Sequence, residues 1–335
     1  MSFHFIRGRH VSLLILLAFQ GISLTVGAQK DIASTSSAKA HQMLFDAIRS
    51  GSSEELKKAL ANKANANDSL ASYSALMMAT LEGTADQMLM LINFGARIND
   101  TCRNGITALW LALPEMEKIS ILLDHGADIN HKINGYGILT KLATMPGYTK
   151  VFQFLISRGA DPMASSPDNL LLYNAASTGD TTLVGFLLHL GLKVNDTTSF
   201  GEAPLNAALT FRTTATLKML IEHGANINFQ NLHEQNLPAL VGFTPLMNAA
   251  LNNDSESFFF LLEKGADPNL RSKGGYTAFI LLQESESIDP EMTRALIRHG
   301  ARTGDKVPDG SDALLYAREK GKTSIVELLE KYQQK

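Results

Sequence analysis

A single cysteine, Cys102, in a chain of 335 residues leaves no disulfide framework and no thiolate set for a metal. Long apolar runs are missing too. The longest, VSLLILLAFQGI near the N-terminus, has about a dozen residues, whereas a membrane-spanning helix needs ~20. After the first ten residues no Lys/Arg-rich segment occurs, and the formal net charge is −3, which argues against a basic nucleic-acid-binding surface. G-x-S-x-G, H-E-x-x-H, G-x-G-x-x-G and the phosphate-binding G-x-x-x-x-G-K-[ST] are absent. Ser36-Ser-Ala-Lys39 fits S-x-x-K, but it has no supporting motif. Asn67, Asn99, Asn195 and Asn253 stand in Asn-x-Ser/Thr sequons, and turn chemistry explains the first three. Cys102 falls in a connecting loop and reads as an incidental free thiol.

The N-terminus differs from everything after it. Arg7 and Arg9 precede the short apolar run, and Val26 and Ala28 place small residues three apart, as a signal peptidase prefers. A secretory signal over residues 1–28, cleaved after Ala28, is expected; an N-terminal membrane anchor is the alternative. No cysteine lies near the cleavage point for lipidation, and the arginines are not adjacent as twin-arginine export requires. Residues 29–40, small and polar, read as a flexible leader.

Beyond that the sequence repeats. LINFGA, LLDHGA, LISRGA, LIEHGA, LLEKGA and LIRHGA, with a weaker LLHLGL, place glycines at 95, 126, 159, 191, 224, 265 and 300. Their spacings are 31, 33, 32, 33, 41 and 35 residues. Lys63 holds the glycine slot of an earlier copy, and a final helical pair from Gly310 to about Tyr332 completes nine units. A period near 33 residues marks a stacked repeat protein. The unit is clearest from Gly242 to Asn269. Thr244 caps a first helix with Pro245 at its first position, and Ala249 and Ala250 admit a neighbouring helix. Phe258, Leu261 and Leu262 form one face of a second helix, which Gly265 ends in a left-handed conformation.

The motif G-x-T-P-L-x-x-A-A, followed by apolar-x-apolar-L-L-x-x-G-A-D-x-N, resembles the ankyrin repeat family from about His41 to Tyr332. The resemblance implies an all-α solenoid of about nine helix-turn-helix repeats with β-hairpin-like connecting loops, over residues 41–333. Only Gly242–Leu246 keeps the intact G-x-T-P-L, and no unit keeps the family's following histidine, which puts local geometry in question in the MPGY-containing fourth unit. A long insertion about residues 229–241 accounts for the 41-residue step.

His125, His223 and His299 all precede a repeat glycine, a slot that Lys264 also fills, so HGADIN and HGANIN read as scaffold surface. The family binds partners through hairpin tips and first-helix ends along a concave face. Carried onto this chain, that implies Tyr73, Ile106, Tyr136, Phe243 and Tyr276 after the repeat glycine position, and Phe200, Leu240 and Val241 before one. Phe211 falls at a first-helix end, and Trp110 replaces the missing histidine, where packing and exposure are both open. Aromatic residues are the best protein anchors. The insertion is expected to gather the later members of this row into one patch. Ser52 and Glu55 are spaced as a capping box, and Arg318, Glu319, Lys320, Lys322, Glu330 and Lys331 are expected to give the last unit a polar outer face.

The resulting expectation is an exported bacterial protein, periplasmic or secreted, that binds another protein and acts as an inhibitor or immunity-type protein. A slightly acidic groove would suit a basic target. No catalytic residue, metal or cofactor is expected, nor a membrane span in the mature chain, and the chain should be a monomer. Two alternatives stay open: an enzyme with a site built on the solenoid, distinguished by a cluster of acid, His or Lys residues in the groove, and a purely structural scaffold, distinguished by many partners and no tight one.

Overall fold

The computed structural model describes residues 36–166, 170–231, 241–284 and 289–333. The expected signal sequence, the leader up to residue 35, and residues 232–240 of the insertion, Leu240 included, lie outside the described residues. The first helix, α1 (Ser36–Ser50), begins inside the stretch read as a flexible leader. Ala38 and Ala40 favour helix there and lead into the buried face Leu44, Phe45, Ala47 and Ile48.

The chain divides into two compact units at Ala112 and Leu113. The first carries α1, α2 (Ser53–Ala61), α3 (Ala75–Glu82), α4 (Ala85–Asn93) and the single turn α5 (Ala108–Leu111). Its hairpin β1 (Ser69–Leu70) and β2 (Tyr73–Ser74) pairs Ser69 with Ser74 and Leu70 with Tyr73, antiparallel. The second unit begins with α6 (Met116–Asp124), α7 (Ile138–Leu142), α8 (Thr149–Ser157), α9 (Leu170–Thr178) and α10 (Thr181–His189). It continues with α11 (Pro204–Thr210), α12 (Thr214–Glu222), α13 (Pro245–Leu251) and α14 (Ser255–Glu263). Last come α15 (Ala278–Glu284), α16 (Pro290–Arg298), α17 (Ala313–Glu319) and α18 (Thr323–Gln333). Within it, first helices pack on first helices (α9 on α11, α13 on α15, α15 on α17) and second helices on second helices (α14 on α16). The first helices of the third and fourth units are short: α5 has 4 residues and α7 has 5, the latter with Pro146, which cannot continue a helix, four residues on.

The period has a backbone cause. In α14, Asp254 caps the N-terminus by accepting from the Ser257 amide at 3.2 Å. At the other end Gly265, at φ +89°, lets Ala266 N–H reach Leu261 C=O at 2.9 Å and its own N–H reach Leu262 C=O at 3.0 Å. The same closing bond joins Ala127 to Leu122, Ala160 to Leu155, Ala225 to Leu220 and Ala301 to Leu296. Leu-x-x-x-Gly-Ala is therefore one helix ending, written repeatedly. Lys63 adopts φ +66° in the glycine slot, bearing the side-chain strain that glycine avoids.

The turn asparagine in HGADIN and HGANIN fastens one repeat to the next. Asn195 Nδ2 donates to Gly224 C=O at 3.0 Å, while its Oδ1 accepts from Asn226 N–H at 2.7 Å. Asn269 does the same with Gly300 at 3.0 Å and Arg302 at 2.8 Å, and in the first unit Asn67 does so with Gly95 and Arg97. Asn130 repeats the pattern at greater length, 3.3 Å to Gly159 and 3.4 Å from Asp161. At Asn67, Asn130 and Asn269 the Asn or Asp two residues earlier turns the chain, as Asp267 does by accepting from Asn269 N–H at 2.8 Å, whereas Asn195 follows Lys193. One joint differs. Met163 stands in the asparagine position of the fourth repeat, 57% exposed, and a thioether donates nothing.

Candidate partner-binding face

Each hairpin presents a residue after its glycine position. In the first unit, Ile106 C=O accepts from Cys102 N–H at 3.0 Å, and both Ile106 and Tyr73 are half-buried. Burial, and secondarily the Cys102 sulfur, pushes the Tyr73 hydroxyl above its ordinary pKa. In the second unit, Tyr136 bridges to Ile133, and Tyr276 C=O accepts from Ser272 N–H at 2.9 Å; both rings are half-buried. Phe200, at a hairpin tip, and Phe211, at the end of α11, belong to one repeat and are each 38% exposed.

Three expected anchors are core residues instead. Val241 is 3%, Phe243 5% and Trp110 8% exposed, so none can present a ring or branched chain to a partner. Val241 C=O accepts from Lys273 N–H at 2.9 Å, which draws the end of the insertion against the next hairpin and takes Phe243 inward with it. Trp110 is buried along with Ala108 and Leu109 of α5, which settles its position in favour of packing. Nor are the hairpins acidic. In the loops of the second unit exposed Lys132, Lys193, Arg271, Lys273, Arg302 and Lys306 stand against exposed Asp128, Asp161, Asp196, Asp267 and Asp309, a near balance.

Sequence reasoning missed a polar cluster at the neck of the insertion. The two ends of the loop meet where Gly242 N–H donates to Asn231 C=O at 2.6 Å and Gln230 Nε2 to Gly242 C=O at 2.7 Å. Asn231, itself buried, sends its Nδ2 to Glu202 Oε1 at 2.7 Å and Phe200 C=O at 3.3 Å. Buried Asn206 on α11 also hydrogen-bonds the Glu202 carboxylate, while its own Oδ1 finds no partner among the described residues. Burial raises the Glu202 pKa, and the amide donors of Asn231 and Asn206 only partly oppose it. The available signal was a carboxylate after Gly201, a slot where five other units place Tyr, Phe or Ile.

The folded chain therefore holds the Glu202 proton more tightly than the unfolded chain does. Above the unfolded carboxyl pKa of about 4.3, the unfolded chain binds fewer protons, so stability falls as pH rises through the interval up to the raised folded value. Below that interval Glu202 makes no difference. Glu202→Gln keeps an acceptor for Asn231 and supplies an N–H to the Asn206 oxygen. It should stabilise the protein at pH 7 by about 0.5–1.5 kcal/mol, one hydrogen bond's worth, with the gain vanishing in acid. Urea denaturation of both proteins across the pH range checks this; equal stabilities at pH 7 would contradict it.

The histidines stand on the scaffold surface. His125 Nδ1 donates to Ile121 C=O and His223 Nδ1 to Met219 C=O, both at 2.8 Å, closing the exposed ends of α6 and α12. Among the described residues no cluster of three or more His, Cys, Asp or Glu side chains could hold a metal, and no helix is long and apolar enough to cross a membrane.

Helix pairs at a period near 33 residues, fastened through hairpin asparagines, define a helical repeat protein. Comparison with known proteins then supplies the family. The family model described as ankyrin repeats (3 copies) matches residues 44–133, 76–166, 171–272 and 246–335, and the chain belongs to the ankyrin repeat family. It is 28% identical over 232 residues to the ankyrin repeat protein YahD of Escherichia coli (strain K12), covering 67% of this chain and 95% of that one. It is 26% identical over 264 residues to the ankyrin repeat and KH domain-containing protein mask-1 of Caenorhabditis elegans, covering 76% of this chain but 10% of that protein. With the ankyrin repeat and SAM domain-containing protein 6 of Rattus norvegicus the match is 34% over 103 residues, 31% of this chain and 11% of that protein. The crystal structure of the human ASB11 ankyrin repeat domain superposes with a TM-score of 0.56 at 22% identity, covering 68% of this chain and 99% of that one, which establishes the fold. An ankyrin repeat domain is a general protein–protein interaction scaffold, and this chain is one.

Proposed function

We propose that this scaffold is exported to the periplasm or beyond and occludes one partner protein, as an inhibitor or immunity-type protein does. The observation that carries the binding half is the pair Phe200 and Phe211. Two large rings project from one repeat, at the hairpin tip and the first-helix end through which ankyrin proteins take their partners, while Val241 and Phe243 nearby are withdrawn into the core. Tyr136 and Tyr276 offer partly covered rings on other hairpins of the same unit. The export half rests on Arg7, Arg9, the short apolar run, and Val26 and Ala28 in the positions a signal peptidase reads.

The test is capture from the native envelope with the purified protein as bait, followed by titration of the partner it retains. Phe200→Ala and Phe211→Ala should each weaken binding by more than about 1 kcal/mol with the melting curve unchanged. Binding that survives both substitutions moves the site elsewhere. Mature protein recovered from that fraction should begin at Gln29; an intact Met1 would refute export by cleavage.

A further inference from the structure

The Glu202 cluster joins three segments of the chain. Its own hairpin carries Phe200: Thr198 N–H donates to Glu202 C=O at 2.9 Å, and the Thr198 hydroxyl accepts from Phe200 N–H and Glu202 N–H, each at 3.3 Å. Helix α11 contributes Asn206, and the neck of the insertion contributes Asn231, whose Nδ2 reaches both the carboxylate and Phe200 C=O. Whatever holds Asn231 therefore holds the neck and the Phe200 tip together.

The two protonation states suit this cluster unequally. An ionised carboxylate accepts from both amides but leaves Asn206 Oδ1, in a residue 5% exposed, with no donor among the described residues. A protonated carboxyl still accepts from Asn231 through Oε1 and has one O–H to give. When the Asn206 amide turns over, its Oδ1 receives that O–H, so one proton taken from solvent satisfies both groups. Helices α11 and α13 carry no ionisable side chain. Those on the other described elements around the cluster are Tyr173 of α9, Lys193 and Asp196 of the same loop, Arg212 beyond α11, and Arg271 and Lys273 of the next hairpin. Burial and the two amides act on the Glu202 proton, and no charged side chain is among the causes. His233 and Glu234 follow Asn231 outside the described residues.

We propose that Glu202 is a proton-operated latch: protonated, it holds Asn231 and the neck closed on the hairpin that carries Phe200, and ionised, it lets the two part. Parting wets the carboxylate, so the opened molecule binds the proton with ordinary carboxyl affinity and the closed one binds it more tightly. The opening equilibrium must then grow as pH rises from the ordinary carboxyl range to the closed-state value, by about tenfold for each unit between them. Outside that interval it is level. The sign is the one already given for stability, but the opening is local and needs no repeat to unfold.

Hydrogen exchange at single amides of the full chain tests this, with the Glu202 carboxyl titrated by carbon-13 NMR in the same samples. Gly242 N–H, bonded across the neck to Asn231 C=O, and Thr198 N–H should lose protection with rising pH by the factor that the measured Glu202 titration dictates. Both should exchange faster than Ala225 N–H, whose bond to Leu220 C=O breaks only when α12 unfolds. Glu202→Gln should keep both amides at their acid-level protection at every pH. His233→Ala, which removes a neighbour that titrates near neutrality, should leave the step in place. Protection at Gly242 without the step, a step that survives Glu202→Gln or vanishes in His233→Ala, or exchange no faster than at Ala225 would each overturn the latch. One consequence rests on reading Phe200 as a partner ring: affinity for the captured partner should follow the closed fraction that exchange measures. An affinity that ignores that fraction while the latch steps as described removes Phe200 from the partner site and leaves the latch standing.

Discussion

Replacing Leu261 with alanine should lower the unfolding free energy by about 2–5 kcal/mol, whereas His223→Ala should change it by less than about 0.5 kcal/mol. Leu261 has no exposed surface, and its carbonyl closes the end of α14 by accepting from Ala266 N–H. Truncation leaves a cavity that the backbone cannot collapse, because that bond and the Gly265 turn hold the helix end in place. His223 loses only an exposed bond to Met219 C=O. Coupling in a repeat array passes between neighbours, so hydrogen exchange should quicken most in α13 to α16 of the Leu261→Ala protein. Urea denaturation measures the total. A His223→Ala protein less stable than Leu261→Ala would mean that the repeated histidine does something the scaffold account omits.

Phe243→Ala should cost about 3–5 kcal/mol of stability, the usual range for a buried aromatic. From sequence, Phe243 reads as a partner anchor whose loss would weaken binding and spare the fold. At 5% exposure it cannot touch a partner, so any loss of binding should follow the loss of folded protein and disappear when affinity is expressed per folded molecule. A protein that melts normally but binds poorly would return Phe243 to the surface.

The contrast between Phe243 and Phe211 marks how far the sequence could be read. Helix pairs, glycine endings and the Thr244–Pro245 cap were legible because each is a local rule: 3.6-residue periodicity, positive φ, an orphan amide. Which hairpin aromatics face outward was not, because that depends on what the neck of the insertion does. Asn231, Gln230 and Lys273 draw that neck across residues distant in sequence. The ends follow the same division. The rim charges of the last repeat hid Leu315, whose 41% exposure is visible only beside its buried counterparts.

Met163 has a thermodynamic consequence of its own. In a linear array the all-or-none character of unfolding is a product of nearest-neighbour couplings, and one weak link divides the array into blocks. The fasteners at Asn130, Asn195 and Asn269 help neighbouring repeats share their fate, and Met163 withholds that term at the joint before α9, where Gly147 N–H to Asp180 Oδ2 at 2.8 Å and Asn174 Nδ2 to Thr140 C=O at 3.4 Å still cross. Coupling between repeats should therefore be weakened there without being lost, and chains that unfold in part should have their boundary just before α9.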